Sequence, residues 1–273
     1  MSAVEAGAGP DLVLLHGLGS RHEVFAPILD ELAAHHHVVA LDFPGFGDAP
    51  LDPAVRPGVA GYADWVEREL GLRGIDAPHI VGSSMGGGVA LELARRGVAG
   101  RVTVFSPIGF WSTAERMWTQ WFLTRMRDAA RGLPGLLERA VFLRGIRTVL
   151  LGPFFGRPAH VSGADAVGDL RALAAASGFD AARDSFAQHV APAPNPAVPV
   201  VVVWGRRDVI LPFVTQSRRA RRRYPAAQHI ALGRCGHLPF SDDPRTCAGI
   251  IARTHPFTAP ADPLLQPELQ EAP

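Results

Sequence analysis

The sequence lacks lysine, and it holds only two cysteines and two tyrosines in 273 residues. Every one of its 27 basic residues is therefore arginine, and 26 acidic residues bring the net charge to +1. A molecule with so little net charge has no strong overall attraction to nucleic acids or anionic membranes. Five arginines lie between positions 218 and 223, but on a helix they would spread around the cylinder as a solvated surface. We therefore expect neither a nucleic-acid nor a membrane partner.

The two cysteines, Cys235 and Cys247, are too few for a disulfide framework, and their spacing is not that of a metal site. The first ten residues contain no basic residue and no long apolar run, so they do not match a secretory signal. The strongest apolar run, residues 198–204, is far too short to cross a bilayer. We therefore predict a cytoplasmic protein with free thiols.

Motifs for cofactors and metals are also missing. The sequence has neither a glycine-rich dinucleotide fingerprint nor a P-loop. The three successive histidines at positions 35–37 come at the end of a helical pattern, where they would point in different directions rather than at one ion. We expect no cofactor and no metal.

Short apolar runs rich in β-branched residues alternate with longer helical patterns. The runs are continuous, which is typical of strands covered on both faces. We predict strands at residues 11–15, 38–41, 79–81, 101–105, 199–204 and 229–232, and helices at residues 25–34, 62–70, 85–96 and 214–224. Strands and helices in this order predict an α/β fold with a mostly parallel, doubly wound sheet.

The alternation stops in one long stretch that is rich in tryptophan, phenylalanine, leucine and arginine and ends in a proline-rich linker. We predict a helical cap at residues 110–197, inserted between two parts of the core at residues 1–109 and 198–255. Residues 256–273 carry several prolines and little apolar content, which predicts a disordered tail. If Trp118 or Phe154 faces a pocket beneath the cap, its replacement should alter substrate preference more than chemistry.

Residues 82–86 read Gly-Ser-Ser-Met-Gly and lie between a predicted strand and a predicted helix. A strand that turns sharply into a helix needs glycine where a Cβ would collide with backbone. The turn would place Ser84 at the helix N-terminus, where free N–H groups favour developing negative charge. The motif alone is weak, but its position between strand and helix makes Ser84 a candidate nucleophile.

Two further side chains follow later strands. Asp208 comes after the strand at 199–204, and His237 comes after the strand at 229–232. Both should emerge at the carboxyl edge of the sheet, with Ser84. A serine hydroxyl needs an imidazole to take its proton, and the imidazole needs a carboxylate to fix its tautomer. We predict a catalytic triad of Ser84, His237 and Asp208.

With these motifs the chain resembles the α/β-hydrolase fold family, in its serine-esterase branch with a helical cap. Further family-like pieces are His-Gly-Leu-Gly at residues 16–19, Leu-Asp-Phe-Pro-Gly-Phe-Gly at 41–47 and the sequence around the histidine at 236–244. The resemblance implies that the backbone N–H groups of Leu18 and Met85 form an oxyanion hole. Family members usually begin with an antiparallel pair of strands, and ten residues are too few for a hairpin with its connection. We therefore expect the strand at 38–41 to become a sheet edge.

The resemblance implies hydrolysis of a small or medium apolar ester or lactone through an acyl-enzyme. A carbon–carbon bond hydrolase of ring-cleavage products is the main alternative, although such enzymes typically carry Asn and Trp where this chain has Ser83 and Leu238. A perhydrolase-like side reaction and a non-catalytic ligand receptor on the same fold stay open. Epoxide hydrolases and haloalkane dehalogenases need an aspartate as the nucleophile, so the serine at position 84 argues against both activities. We expect a small-molecule substrate and leave homo-oligomerisation open.

Overall fold

The computed structural model describes residues 3–253. These residues contain one seven-stranded sheet, with its strands in the order β1-β3-β2-β4-β5-β6-β7. Strands β2 to β7 run parallel to one another. All six predicted strands are present, with ends that shift by no more than two residues. The strands are β1 Ala3–Ala6, β2 Asp11–Leu15, β3 His37–Leu41, β4 His79–Ser83, β5 Arg101–Phe105, β6 Val200–Gly205 and β7 Gln228–Leu232.

The prediction that β3 lies at the sheet edge was wrong. Strand β1 pairs antiparallel with β3, with Ala3 opposite Leu41 and Ala6 opposite Val38. The expectation rested on the length of a hairpin with its connection, whereas a single strand needs only four residues. After β1 the chain passes through Gly7 at φ +76°, where a Cβ would lie 2.2 Å from the carbonyl oxygen of Ala33. Only glycine fits that approach, and it lets β1 reach the far side of β3.

Strands β2 to β6 are almost wholly buried because helices cover both faces of the sheet, whereas the edge strands β1 and β7 are mostly half-buried. Along β2, Leu12 and Leu14 pack into one core with α1 and α10, whereas Val13 and Leu15 pack into the other core with α2, α3 and α9. The period of two in this packing is that of a strand. The helices that cover the sheet are α1 Ala26–Ala33, α2 Val59–Arg73, α3 Met85–Arg96, α9 Phe213–Arg223 and α10 Pro244–Ala252. The sequence patterns predicted all of them except α10.

Residues 110–197, here called the helical insertion, connect β5 to β6 and contain no strand. Their helices are α4 Thr113–Gly132, α5 Pro134–Ala140, α6 Arg144–Leu151, α7 Gly163–Ala175 and α8 Phe179–Ser185, with single 3₁₀ turns at Pro158–His160 and Phe186–Gln188. The insertion has a small core of its own, formed by Val141, Leu151, Phe155, Val161 and Ala166.

The first helix of the insertion is fastened to the sheet domain. Ser112 caps α4 by accepting from the N–H of Glu115, and the Glu115 carboxylate accepts from the N–H of Ser112. The same carboxylate accepts a hydrogen bond of 2.6 Å from Arg219 on α9. Within residues 3–253, no helix combines the length and apolar character needed to span a membrane. The tail predicted at residues 256–273 lies outside the described residues.

Candidate active site

Ser84 lies at the turn between β4 and α3, in a backbone conformation that residues other than glycine rarely adopt. Its φ is +54° and its ψ is −113°. Hydrogen bonds hold this strained residue on both sides, because its N–H donates to Phe105 at 2.9 Å and its carbonyl accepts from Gly88 and Ile108 at 3.1 Å. The turn therefore fixes the serine backbone before any substrate is present.

The glycines beside Ser84 are required by close backbone contacts. A Cβ on Gly82 would lie 2.2 Å from the carbonyl oxygen of Gly86, and a Cβ on Gly86 would lie 2.2 Å from the carbonyl oxygen of Leu15. No side chain tolerates such distances. The tight turn thus packs α3 directly against the end of β2, next to the His-Gly turn.

His237 and Asp208 form a direct, buried pair. His237 Nδ1 lies 2.8 Å from Asp208 Oδ2, and the two residues are 5% and 4% exposed. A carboxylate can only accept, so Nδ1 carries the proton and Nε2 of the neutral ring is left as an acceptor. The other carboxylate oxygen accepts from the N–H groups of Ile210 at 3.0 Å and Leu211 at 2.9 Å. These bonds fix Asp208, and Asp208 in turn fixes the tautomer of the imidazole.

The loop that carries His237 is tied to the helical insertion by Asp242. One oxygen of this buried carboxylate accepts from Gly236 at 2.8 Å and from Gly156 at 2.7 Å, and the other accepts from Arg157 at 2.6 Å. The N–H of Leu238 also donates to Phe154 of the insertion at 2.9 Å. The position of the imidazole therefore depends on both parts of the molecule.

The backbone N–H groups of Leu18 and Met85 donate no hydrogen bond to any residue that the structure describes. The two turns that carry them are in contact, because a Cβ on Gly17 would lie 3.5 Å from Ser84 Oγ. Both N–H groups thus belong to the immediate surroundings of the serine and have no partner among residues 3–253. An oxyanion hole needs backbone donors that the fold itself leaves unsatisfied, and these two N–H groups meet that requirement within the described residues.

His16, which precedes this turn, has a structural role that the sequence pattern did not reveal. Its Nδ1 donates to the carbonyl of Gly17 at 2.7 Å, and its Nε2 accepts from the N–H of Phe43 at 3.1 Å. Burial lowers the pKa of His16 to about 4, although the nearby Asp42 opposes this shift. The imidazole is therefore neutral and holds the first turn in place.

One cavity of about 200 Å³ connects Ser84 with His237. Its floor comes from the sheet domain and most of its wall comes from the helical insertion. The wall is almost wholly apolar, and its members include Leu123, Met126, Leu137, Val141, Leu150, Leu151, Phe154, Phe155, Leu170 and Leu173. Phe154 therefore lines the cavity, whereas Trp118 is 41% exposed and donates from Nε1 to the carbonyl of Val209.

The serine and the imidazole share this cavity without a hydrogen bond between them. No contact within the 3.5 Å limit of a hydrogen bond joins Ser84 Oγ to His237. Catalytic hydrogen bonds are often long in unliganded enzymes and tighten when substrate binds. The structure thus brings all three predicted side chains to one edge of the sheet, with the His237–Asp208 contact formed and the contact to Ser84 open.

One group of side chains has the composition of a metal site. Ligand atoms of His22, Glu23 and Asp42 lie within 4.8 Å of one another. The Asp42 oxygens already accept from the His22 N–H at 2.7 Å, from His22 Nδ1 at 3.0 Å and from the Asp48 N–H at 3.2 Å. The hydrogen bond that His22 donates to the Asp42 carboxylate also raises the pKa of His22, which favours the charged imidazolium over a metal ligand. This group orders the loop after β2 and belongs to the scaffold.

The model of the alpha/beta hydrolase family matches residues 12–250, so the chain belongs to this family and is a hydrolase by class. The match contains β2 except for its first residue, all of β3 to β7, the elbow at Ser84 and the pair formed by Asp208 and His237.

Relatives with assigned activities cover nearly the whole chain. Pimeloyl-[acyl-carrier protein] methyl ester esterase of Aeromonas salmonicida is 28% identical, over 92% of this chain and 97% of that protein. The enol-lactonase of Burkholderia xenovorans LB400 superposes with a TM-score of 0.71 at 18% identity, over 92% of this chain and 94% of its own. A 2-hydroxy-6-oxo-6-phenylhexa-2,4-dienoate hydrolase from Rhodococcus sp. strain RHA1 superposes with a TM-score of 0.70 at 23% identity, over 91% of this chain and 92% of its own. The two structural matches show a common fold.

Proposed function

We propose that this protein hydrolyses carboxylic esters or lactones with a small or medium apolar acyl group, using Ser84, His237 and Asp208. Ser84 Oγ attacks the substrate carbonyl while His237 Nε2 takes its proton. The N–H groups of Leu18 and Met85 stabilise the oxyanion that forms. The imidazolium then gives its proton to the leaving alcohol, and a water molecule activated by the same imidazole releases the acid from the acyl-enzyme.

The observation that carries this proposal is the convergence of three independent features on one cavity. The strained Ser84, the imidazole of His237 fixed with Nε2 as acceptor, and Leu18 all line the cavity, and Met85 directly follows Ser84. The N–H groups of Leu18 and Met85 have no hydrogen-bond partner among residues 3–253. Each feature has a structural explanation by itself, but together they supply the nucleophile, base and electrostatic stabilisation of acyl transfer.

The character of the cavity supports the substrate class. Its wall of leucine, phenylalanine and methionine favours an apolar acyl group, and about 200 Å³ suits a small or medium chain. The Aeromonas relative cleaves, by its name, a methyl ester, which favours an ester here as well. We further propose that the helical insertion acts as a cap, which excludes water from the reacting carbonyl and sets the acyl length.

A chain-length series of nitrophenyl esters, run beside a ring-cleavage dienoate, tests the proposal. We expect turnover of the esters with a maximum at short or medium acyl length, and covalent labelling of Ser84 by a fluorophosphonate. Hydrolysis of the dienoate in preference to every ester would favour carbon–carbon cleavage instead. Labelling without turnover of any ester would contradict the proposed reaction, and absence of labelling would contradict the role of Ser84.

A further inference from the structure

Helix α7 passes directly over the turn that carries Leu18. A Cβ on Gly19 would lie 2.5 Å from Leu173 Cδ1, and a Cβ on Gly168 would lie 2.4 Å from Arg21 Nη2. Asp169 is one helical turn before Leu173, so both residues lie on the face of α7 that points at this turn. The carboxyl group of Asp169 accordingly lines the cavity that contains Ser84 and His237.

Asp169 is an exception among the cavity's lining residues. Apart from His237, it is the only ionisable side chain that the described part of the chain contributes to the cavity, and the remaining lining residues are apolar or are glycine and serine. Within residues 3–253 the Asp169 side chain makes no hydrogen bond and no ion pair. A half-buried carboxyl group in largely apolar surroundings costs free energy, because it loses part of its hydration and no protein donor replaces what is lost.

The neighbouring charges do not neutralise this carboxyl group. Arg21 is the nearest candidate, but its guanidinium pairs with Glu23 and lies beneath Gly168 without bonding to Asp169. Burial raises the pKa of Asp169 to about 6; Arg21 lowers it, and Asp165 and Glu23 raise it further. Groups with a raised pKa inside a cleft are frequent at binding sites.

We propose that Asp169 forms a polar subsite that accepts a hydrogen bond from a hydroxyl or ammonium group on an otherwise apolar substrate. This inference rests on the proposed function insofar as the cavity is the substrate pocket. A hydrogen-bond donor on the substrate would give the Asp169 carboxylate the partner that it lacks within residues 3–253. A carboxylate on the substrate would instead be repelled by its like charge. The subsite therefore assigns a hydroxylated or amino-substituted acyl or alcohol portion to the natural substrate.

Binding of product-like alcohols tests the subsite without requiring turnover. The probes are octan-1-ol and octanediols whose second hydroxyl stands at different carbons, titrated by calorimetry at about pH 8, where Asp169 is a carboxylate. We expect at least one diol to bind roughly tenfold or more tightly than octanol, as a hydrogen bond to a charged group implies. Asp169→Leu should remove this preference, and Asp169→Asn should reduce it.

The control is Asp128→Asn, which removes an exposed charge from α4 that pairs with Arg125 outside the cavity. It should leave the preference for the diol unchanged. If no diol binds more tightly than octanol to the wild type, or if Asp169→Leu keeps the preference, the subsite is overturned. Preferential binding of a diol by a protein that hydrolyses no ester would contradict the proposed function and leave the subsite standing.

The pH dependence of the preference for a hydroxylated ester over its plain counterpart is a second test of the subsite. The ratio of kcat/KM for a hydroxylated ester to that for its plain counterpart cancels the titration of His237, because both substrates need the same base. The charged groups around Asp169 are Arg21, Glu23 and Asp165, and the titratable His237 lines the same cavity. We expect the ratio to fall several-fold as the pH drops through about 6, where Asp169 gains a proton. A ratio that is constant with pH in the wild type would contradict the subsite.

Discussion

The sheet domain and the helical insertion differ in how completely they bury their apolar side chains. In the sheet, the four residues from Leu12 to Leu15 are all 0% exposed. In the insertion, α5 has no buried residue at all. Of the fourteen large hydrophobic side chains that are exposed within residues 3–253, ten lie in the insertion. The insertion is therefore the less tightly held region, and local opening should begin there.

The groups proposed for chemistry and those that form the wall come from different regions. Ser84, His237, Asp208 and the two N–H donors all belong to the sheet domain, at the ends of rigid strands. The insertion supplies thirteen of the 21 residues around the cavity. Replacements in the first group should alter rate, and replacements in the second should alter preference. The first four experiments below test this separation, and the last one tests how the insertion is attached to the sheet domain.

The largest effect is expected at the elbow. Ser84→Ala should lower ester turnover roughly 10⁴- to 10⁶-fold with the melting temperature nearly unchanged, because it removes the nucleophile and no structural bond. Ser83→Ala is the matched control, since Ser83 Oγ is buried and has no partner in the described part of the chain. That variant should keep the activity and be equally or slightly more stable. Retained turnover in pure Ser84→Ala would contradict the assignment.

Asp208→Asn should depress kcat by roughly 10⁴. The asparagine NH₂ group cannot accept the Nδ1 proton, so the imidazole would adopt the other tautomer and Nε2 could no longer take the serine proton. Thermal unfolding should show a folded protein, because the bonds from Ile210 and Leu211 to Oδ1 can persist. A nearly silent Asp208→Asn would mean that another carboxylate orients His237.

Asp242 connects the two regions, and its replacement tests how far they are separate. Asp242→Asn replaces one acceptor oxygen by a donor that faces the N–H of Gly156 and Gly236, or that of Arg157. We expect a loss of about 2 kcal/mol in the free energy of unfolding, measured with urea, and a parallel fall in kcat. Loss of stability with full activity would show that the His237 loop keeps its place without the insertion.

Phe154 and Trp118 offer a comparison within the insertion. Phe154→Ala enlarges the cavity and should shift the preferred acyl length upward, changing the ratio of kcat/KM between long and short esters roughly tenfold. Trp118→Ala should leave that ratio unchanged, because Trp118 lies on the outer surface. Of the two residues that the sequence analysis named as possible determinants of substrate preference, only Phe154 lines the cavity. Equal effects of both variants would contradict this view of the wall.

The smallest effect concerns the attachment of α4. Burial alone would raise the pKa of Glu115, but hydrogen bonds from Ser112, Thr215 and Arg219 lower it to about 2 from an ordinary value of 4.5. A carboxylate with a lowered pKa contributes stability that is complete above its unfolded-state value and is lost as the pH falls through the folded value. Glu115→Gln should cost about 1 kcal/mol at neutral pH.

This cost should shrink as the pH falls from about 4.5 towards about 2, since the wild type then loses its own charge. Paired urea titrations of both proteins at several pH values give the difference directly. Asp184→Asn, which changes an exposed carboxylate on α8, is the control and should have little effect at any pH. A cost for Glu115→Gln that does not vary with pH would contradict the pairing.

The sequence by itself determined the elements whose signals are local. Continuous β-branched runs gave six strands, and the order of motifs after those strands predicted which side chains meet at one edge of the sheet. Parallel strands bring their carboxyl ends together whatever the helices do, so Ser84, Asp208 and His237 could be named without coordinates. The glycine spacing around Ser84 is equally local, because it reflects backbone contacts within one turn.

The tertiary structure decided whatever depends on how separate elements dock. The pairing of β1 with β3, the bonds from Asp242 to the insertion and the turn of Asp169 towards the cavity have no signature within a few residues. A helical pattern shows which residues share a face, but not what that face meets. Phe154 and Trp118 read alike in the sequence, and only the docking of the insertion on the sheet placed one at the cavity and the other at the surface.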